Sequence, residues 1–272
     1  MNTEQPVIRL KPKTSPQRLR HGFPWVYDNE LVTDRRTRNI EAGSLVKLTD
    51  HAQNSLGLFA FNANSKIIAR RVAFDPDTKI DTAWFVKKLT VALMFRDTLY
   101  DRPFYRLIHA EADDLPGLIV DRFDDILVIQ PNAAWADRLL LFLVDALKTV
   151  LEPKAIVING TGRARALEGL EDSRYMAHGE MPSKALEVPM NGAVYFADVA
   201  QGQKTGIFYD QRPNHNFVQN LTKDKSVLDV FSHVGGFGLA AMAAGAREVH
   251  CVDGSLPALE LAKLAAAATN AQ

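Results

Sequence analysis

The stretch that most constrains this chain is residues 227–253, VLDVFSHVGGFGLAAMAAGAREVHCVD. Val227, Leu228, Val230 and Phe231 make a short apolar run of the kind buried on both faces of a parallel sheet. Gly235, Gly236 and Gly238 follow at once, then helix formers, then Gly245 where a helix would end. A second apolar run, residues 248–252, stops at Asp253. Strand, glycine turn, helix and strand in that order make half of a nucleotide-binding βαβ unit. The glycines let the backbone approach a ligand and the helix N-terminus offers free N–H groups. A carboxylate at the end of the second strand can accept hydrogen bonds from ribose hydroxyls.

The dinucleotide fingerprint G-x-G-x-x-G is not met, because Gly235 and Gly236 are adjacent and Phe231 stands where an early glycine would be. A bulkier turn with an acid at the strand end suits a ligand without a pyrophosphate, such as S-adenosylmethionine. The purely structural alternative, glycines serving only a tight turn, stays open on these residues alone. Upstream, Lys204-Thr205 invites a phosphate-loop reading, which fails because Gln203 precedes the lysine. Asp210 and Arg212, with Phe208 and Tyr209 beside them, could frame a pocket for an aromatic ring such as adenine.

With 272 residues the chain is long enough for two or three domains, and its composition is that of a soluble globular protein. Its single cysteine, Cys251, excludes an internal disulfide and a cysteine metal cluster, and it reads as a small core residue rather than a nucleophile. No apolar run reaches membrane-spanning length and residues 1–20 are polar and basic, so a cytoplasmic location and no membrane partner are expected. The zero net charge hides an asymmetry: residues 1–75 hold 12 Lys/Arg against 7 Asp/Glu, and the remainder 20 against 25. A basic module on an acidic body points to a polyanionic partner.

Residues 1–75 read as a small β-rich domain with strands near 7–10, 44–48, 56–61 and 66–72. Arg9, Lys11, Lys13, Arg18 and Arg20 precede a turn carrying Phe23, Trp25 and Tyr27, the mixture of cations and aromatics that RNA-binding surfaces use. The aromatics read better as the core of a small barrel. Residues 76–198 read as a central α+β domain with a leading helix. Trp84, Phe85, Leu89, Val91, Ala92, Met94 and Phe95 on that helix are read as core. Strands near 105–110, 118–121 and 126–130 follow, then a helix over 134–150, a strand over 155–159 and a hairpin turning at Asn191-Gly192. Glu111, Asp113, Asp114 and Asp121 read as solvated loop acids, so no metal is expected. Residues 199–272 hold the start of the α/β unit, where His233 could act as a base but reads better as a turn histidine donating to backbone.

Three segments together carry a resemblance: AEADDLPGLIVDR at 110–122, GQKTGIFYDQR at 202–212 and VLDVFSHVGGFG at 227–238. They resemble bacterial class I methyltransferases that modify large-subunit (23S) ribosomal RNA. The resemblance implies an N-terminal PUA domain, a central strand-strand-helix-strand-strand domain, and the start of a Rossmann-like methyltransferase domain at 199–272. It implies S-adenosylmethionine as cofactor and methyl transfer to C5 of a cytosine. Phe231, Ser232, Gly235 and Gly236 would wrap the methionine end, Asp253 would hold the ribose, and Lys204 and Asp210 would line the pocket beside the methionine. Arg9, Lys11 and Arg20 would lie on the RNA-binding face, and a homodimer stays open. C5 of cytosine becomes nucleophilic only when a thiolate adds at C6. The family's cysteine and later strands are expected beyond residue 272, leaving no catalytic residue in this chain. Two rivals stand beside this reading: a non-catalytic RNA-binding module, and a nucleotide-dependent oxidoreductase that the missing fingerprint disfavours.

Overall fold

The structure, a computed structural model, describes residues 5–200, 202 and 205–270. Strands β1 (Val7–Arg9), β2 (Trp25–Val26), β3 (Ser44–Thr49), β4 (Ser55–Phe61) and β5 (Ala69–Ala73) form one sheet in the order β1-β3-β4-β5-β2. The β1–β3 pair is parallel and the others antiparallel. Strand β2 falls in the segment read as a turn; its two residues are too few to show a period, and pairing with Arg70 and Ala69 creates it. One face of this sheet closes over Ile8, Leu10, Leu48, Phe59 and Phe61. The other sends Leu58, Ala60 and Val72 into the core of the following segment.

That segment begins with the helix Thr82–Leu99, capped by Asp81, whose carboxylate accepts from Trp84 N at 3.0 Å. Strands β6 (Phe104–His109), β7 (Leu118–Phe123), β8 (Ile126–Pro131), β9 (Ala155–Gly160) and β10 (Ser173–His178) then build a sheet in the order β10-β9-β8-β7-β6, parallel only at β8–β9. The helix expected over 134–150 is two, Ala134–Arg138 and Leu140–Leu151, broken at Leu139. Strand β10 escaped the pattern because its residues are half-buried and mixed in polarity. One expectation is overturned on the leading helix. Phe85, Leu89 and Ala92 are buried, whereas Val91, Met94 and Phe95 face solvent, because seven apolar residues cover more of the helix than one core contact takes up.

The expected hairpin is present as β11 (Leu186–Met190) and β12 (Ala193–Ala197), with Asn191 and Gly192 both at positive φ as a two-residue turn demands. It stands outside the central sheet. Val188, Met190, Tyr195 and Ala197 form a second core with Phe123, Val128 and Val157 on the back of that sheet and with Leu239, Ala258 and Ala265 from two later helices. Those helices, Gly236–Ala243 and Leu256–Asn270, flank the parallel pair β13 (Ser226–Val230) and β14 (Glu248–Val252). The pair is not buried on both faces as its apolar run suggested. Leu228 is 66% exposed and Val230 and Val252 are half-exposed, since both helices cover the same side. Among the described residues no helix is long and apolar enough to cross a membrane.

Candidate functional site

At the end of β13 the chain enters the left-handed region three times in five residues, at Phe231 (φ 62°), His233 (φ 50°) and Gly235 (φ 82°). Left-handed backbone at a non-glycine residue costs about 1–3 kcal/mol and persists only where the surroundings impose it. Here they do. Ser232 N donates to Val252 O at 3.1 Å, and Gly235 N donates to Ser232 O at 2.8 Å. Asp253 completes the frame, its Oδ2 accepting from His233 N and its Oδ1 from Ser255 N, both at 2.8 Å. These bonds, Ser255 first and His233 next, hold the Asp253 carboxyl below the usual range. The result is a turn with the Phe231 ring 88% exposed. The buried Ser232 hydroxyl lies beside the Cys251 thiol and has no oxygen or nitrogen partner.

The N–H groups at the start of the following helix are not free, contrary to expectation. Asp229 Oδ2 accepts from Gly238 N at 2.9 Å, and Gly236 N donates to Ser232 O. Burial pushes the Asp229 carboxyl up despite these bonds. Two glycines here answer to close approach. A Cβ on Gly238 would stand 2.5 Å from Cys251 Sγ, and one on Gly236 would stand 2.7 Å from Nε2 of His215. His215 is buried between Tyr195 and Phe237, and burial drives its pKa down to about 4, so it sits there neutral. No motif marks it in the sequence. Cys251 is half-buried rather than fully buried, and burial, then Asp229, pushes its thiol up, away from the thiolate a nucleophile needs.

The second motif reaches this turn through Phe208, whose ring meets that of His233 at 4.9 Å between centroids. Tyr209 is buried and donates to Arg122 O, and Thr205 is buried. Lys204 lies outside the described residues. Asp210 turns the other way, toward Arg106 Nη1 at 3.5 Å. The structure therefore brings Phe231, Ser232, Gly235, Gly236 and Asp253 into one turn, with Asp210 outside it but near His215, which packs on Gly236.

In the N-terminal sheet, Arg18 pairs with Glu30 and lies over the rings of Phe23 and Tyr27, while Arg20 pairs with Asp50 at 2.8 Å. Lys11 donates to Asn29 O. Arg9 and Lys13 are exposed and form no ion pair among the described residues. Asp121 is not the solvated loop acid expected: it lies fully buried in β7, where Arg106 engages both its oxygens. Glu111 faces Arg70, Asp113 faces Arg96 and Asp114 faces Lys88.

Comparison with known proteins follows these segments. Ribosomal RNA large subunit methyltransferase I of Aliivibrio fischeri (strain MJ11) is 37% identical over 248 residues, 90% of this chain. The protein of the same name from Enterobacter sp. (strain 638) is 35% identical over 248 residues. The chain spans 62% of the length of both relatives. A Streptococcus mutans structure assigned as a SAM-dependent methyltransferase superposes with a TM-score of 0.82, covering 98% of this chain and 68% of that one at 18% identity. A methyltransferase-assigned structure in complex with SAH superposes with a TM-score of 0.81, covering 98% of this chain and 67% of that one at 18% identity. These two share the fold. Residues 8–74 match the PUA-like domain family and residues 165–263 match the S-adenosylmethionine-dependent methyltransferase family, so the chain carries a stretch like each.

Proposed function

We propose that this protein uses S-adenosylmethionine to methylate large-subunit ribosomal RNA, at C5 of a cytosine. The observation that carries the reading is the turn after β13. Of its two non-glycine left-handed residues, Phe231 and His233, the second is held by Asp253, and a buried hydroxyl without an oxygen or nitrogen partner sits within the turn. Such a turn leaves room for a ligand without a pyrophosphate. Phe231, Ser232, Gly235 and Gly236 would hold the methionine end and Asp253 the ribose, with Lys204 beside them. Both Asp253 oxygens already accept one backbone bond and keep a second lone pair each for a ribose hydroxyl. S-adenosylmethionine supplies an electrophilic methyl group when bound. The chain's part is to fix the turn, donate from Ser232 and keep Cys251 out of the chemistry by burial. The relatives' names, with Arg9 and Lys13 in no ion pair among the described residues, support an RNA substrate.

The test is calorimetric titration of the chain with S-adenosylmethionine and with unmodified large-subunit RNA, since transfer to C5 needs a thiolate that Cys251 does not supply. The proposal expects both to bind, the RNA with a steep salt slope. RNA binding without cofactor binding would favour a non-catalytic module, and a folded chain that binds neither would contradict the proposal.

A further inference from the structure

Beside the turn lies a cleft of about 370 Å³ between the C-terminal end of the helix Thr82–Leu99, β6 and the segment 209–213. That volume falls within the range of roughly 300–1,000 Å³ typical of small-molecule pockets. Phe95 and Leu99, 56% and 54% exposed, line it although the core makes no use of them. Tyr100 and Tyr105 stack at 5.5 Å with planes 24° apart, and the Arg212 guanidinium lies 4.2 Å over the Tyr100 ring. Arg96, His109, Arg106 and Asp113 also line the cleft, Arg96 engaged by Asp113 and Arg106 by Asp121, and beside them projects the Asp210 carboxylate, 38% exposed. Its only ionic partner among the described residues is Arg106 Nη1, at 3.5 Å. That guanidinium already engages both oxygens of Asp121, at 2.8 and 3.1 Å.

We infer that this cleft takes one unstacked nucleobase of a single-stranded RNA, with Asp210 accepting a hydrogen bond from an exocyclic amino group. The inference rests on the function proposed above and adds the residue that reads the base. With Arg96 and Arg106 engaged by Asp113 and Asp121, the part-exposed Asp210 carboxylate selects an amino edge over a carbonyl edge, as acidic side chains do with N4 of cytosine. Uracil places O4 where that amino group would be. Exposed Phe95 offers the flat apolar surface on which a displaced base stacks. The cleft also has the right neighbour. Phe208 touches His233 of the glycine turn and Asp210 follows two residues later, a separation of at most about 7 Å along the chain. A base seated against Asp210 is thus next to the turn assigned to the cofactor. The resemblance placed Asp210 beside the methionine; seated against the base, it would read the amino group instead.

The test is fluorescence anisotropy of the whole chain with a labelled uridine tract containing one cytosine, against the same tract with uridine throughout. Calorimetric binding of S-adenosylhomocysteine runs alongside. The chain should prefer the cytosine-containing tract by about tenfold, the lower end of one good base contact. Asp210→Asn should abolish that preference with S-adenosylhomocysteine binding intact, and Asp121 keeps Arg106 matched so that the variant folds. Phe95→Ala should weaken both tracts without changing their ratio. Equal affinities in the unaltered chain, or an unchanged preference in D210N, would overturn the inference. Loss of S-adenosylhomocysteine binding in D210N would return Asp210 to the cofactor and overturn it as well. A cytosine preference in a chain that binds no S-adenosylhomocysteine would instead leave the base site standing and sink the methyltransferase reading.

Discussion

His215 sits against the glycine turn with aromatic rings around it and Asp210 as the charged group that favours its proton. Its pKa is about 4 folded and 6.5 when solvated. Between those values the unfolded chain binds more protons, so stability rises with pH through the window and is lost as pH falls from 6.5 toward 4. A shift of that size corresponds to about 3 kcal/mol. His215→Phe is expected to flatten the urea midpoint across the window; an unchanged slope would assign the effect elsewhere. Glu168 is the other buried charge with a clear consequence. It accepts from Asn62 Nδ2, Ser65 Oγ and Arg70 Nη2 at 3.0, 2.8 and 2.8 Å, bonds that outweigh burial and lower its pKa. Glu168→Ala is expected to cost about 1–3 kcal/mol by urea unfolding, since it removes the acceptor of the buried Ser65 hydroxyl and leaves Arg70 with Glu111 alone. Neither residue was legible in the sequence. His215 belongs to no motif, and the donors to Glu168 lie about a hundred positions away. Phe231, Ser232 and Asp253 were legible, because a turn between two apolar runs is a local pattern.

The helix Gly236–Ala243 can lie on β13 and β14 only because Gly238 has no side chain. Gly238→Ala should therefore destabilise by about 1–3 kcal/mol through overpacking. Adding Cys251→Ala should restore part of the loss, because it removes the atom 2.5 Å from the new Cβ. Additive losses in that double mutant would contradict this packing account. On the other side of the same strands Leu228, Val230 and Val252 face solvent, and two strands alone leave edges unpaired. Amide exchange over 226–270 is expected to be faster than over β6 to β9; equal protection would contradict it. Apolar runs made most strands legible, whereas β2 and β10 exist through their partners and could not be seen alone. On the leading helix, periodicity found the element and misplaced its face, which Phe85 and Leu89 define by packing on Trp135 and the central sheet.

The PUA-like domain and the central sheet share one core, with Leu58, Ala60 and Val72 of the first packed among Leu107, Val120 and Trp135 of the second. Gly43 comes so close to Ala134 that a Cβ would stand 2.6 Å from its carbonyl carbon, and Trp25 Nε1 donates to Glu111 at 2.8 Å across the same seam. The two should unfold in one transition, seen as coincident fluorescence and far-ultraviolet curves; a separate early melt of the N-terminal sheet would refute this. Composition and charge set residues 1–75 apart as a basic module. The side to which the hairpin β11–β12 belongs was not, since that depends on Tyr195 and Met190 meeting the C-terminal helices. The seam joins the N-terminal sheet to the central sheet, and the account stands on what the turn after β13 binds. The most direct measurement is calorimetric titration of the chain with S-adenosylmethionine. Saturable binding is predicted, weakened about tenfold by Ser232→Ala at an unchanged melting temperature, as loss of one hydrogen bond would require. A folded chain that takes up neither S-adenosylmethionine nor S-adenosylhomocysteine would contradict the account.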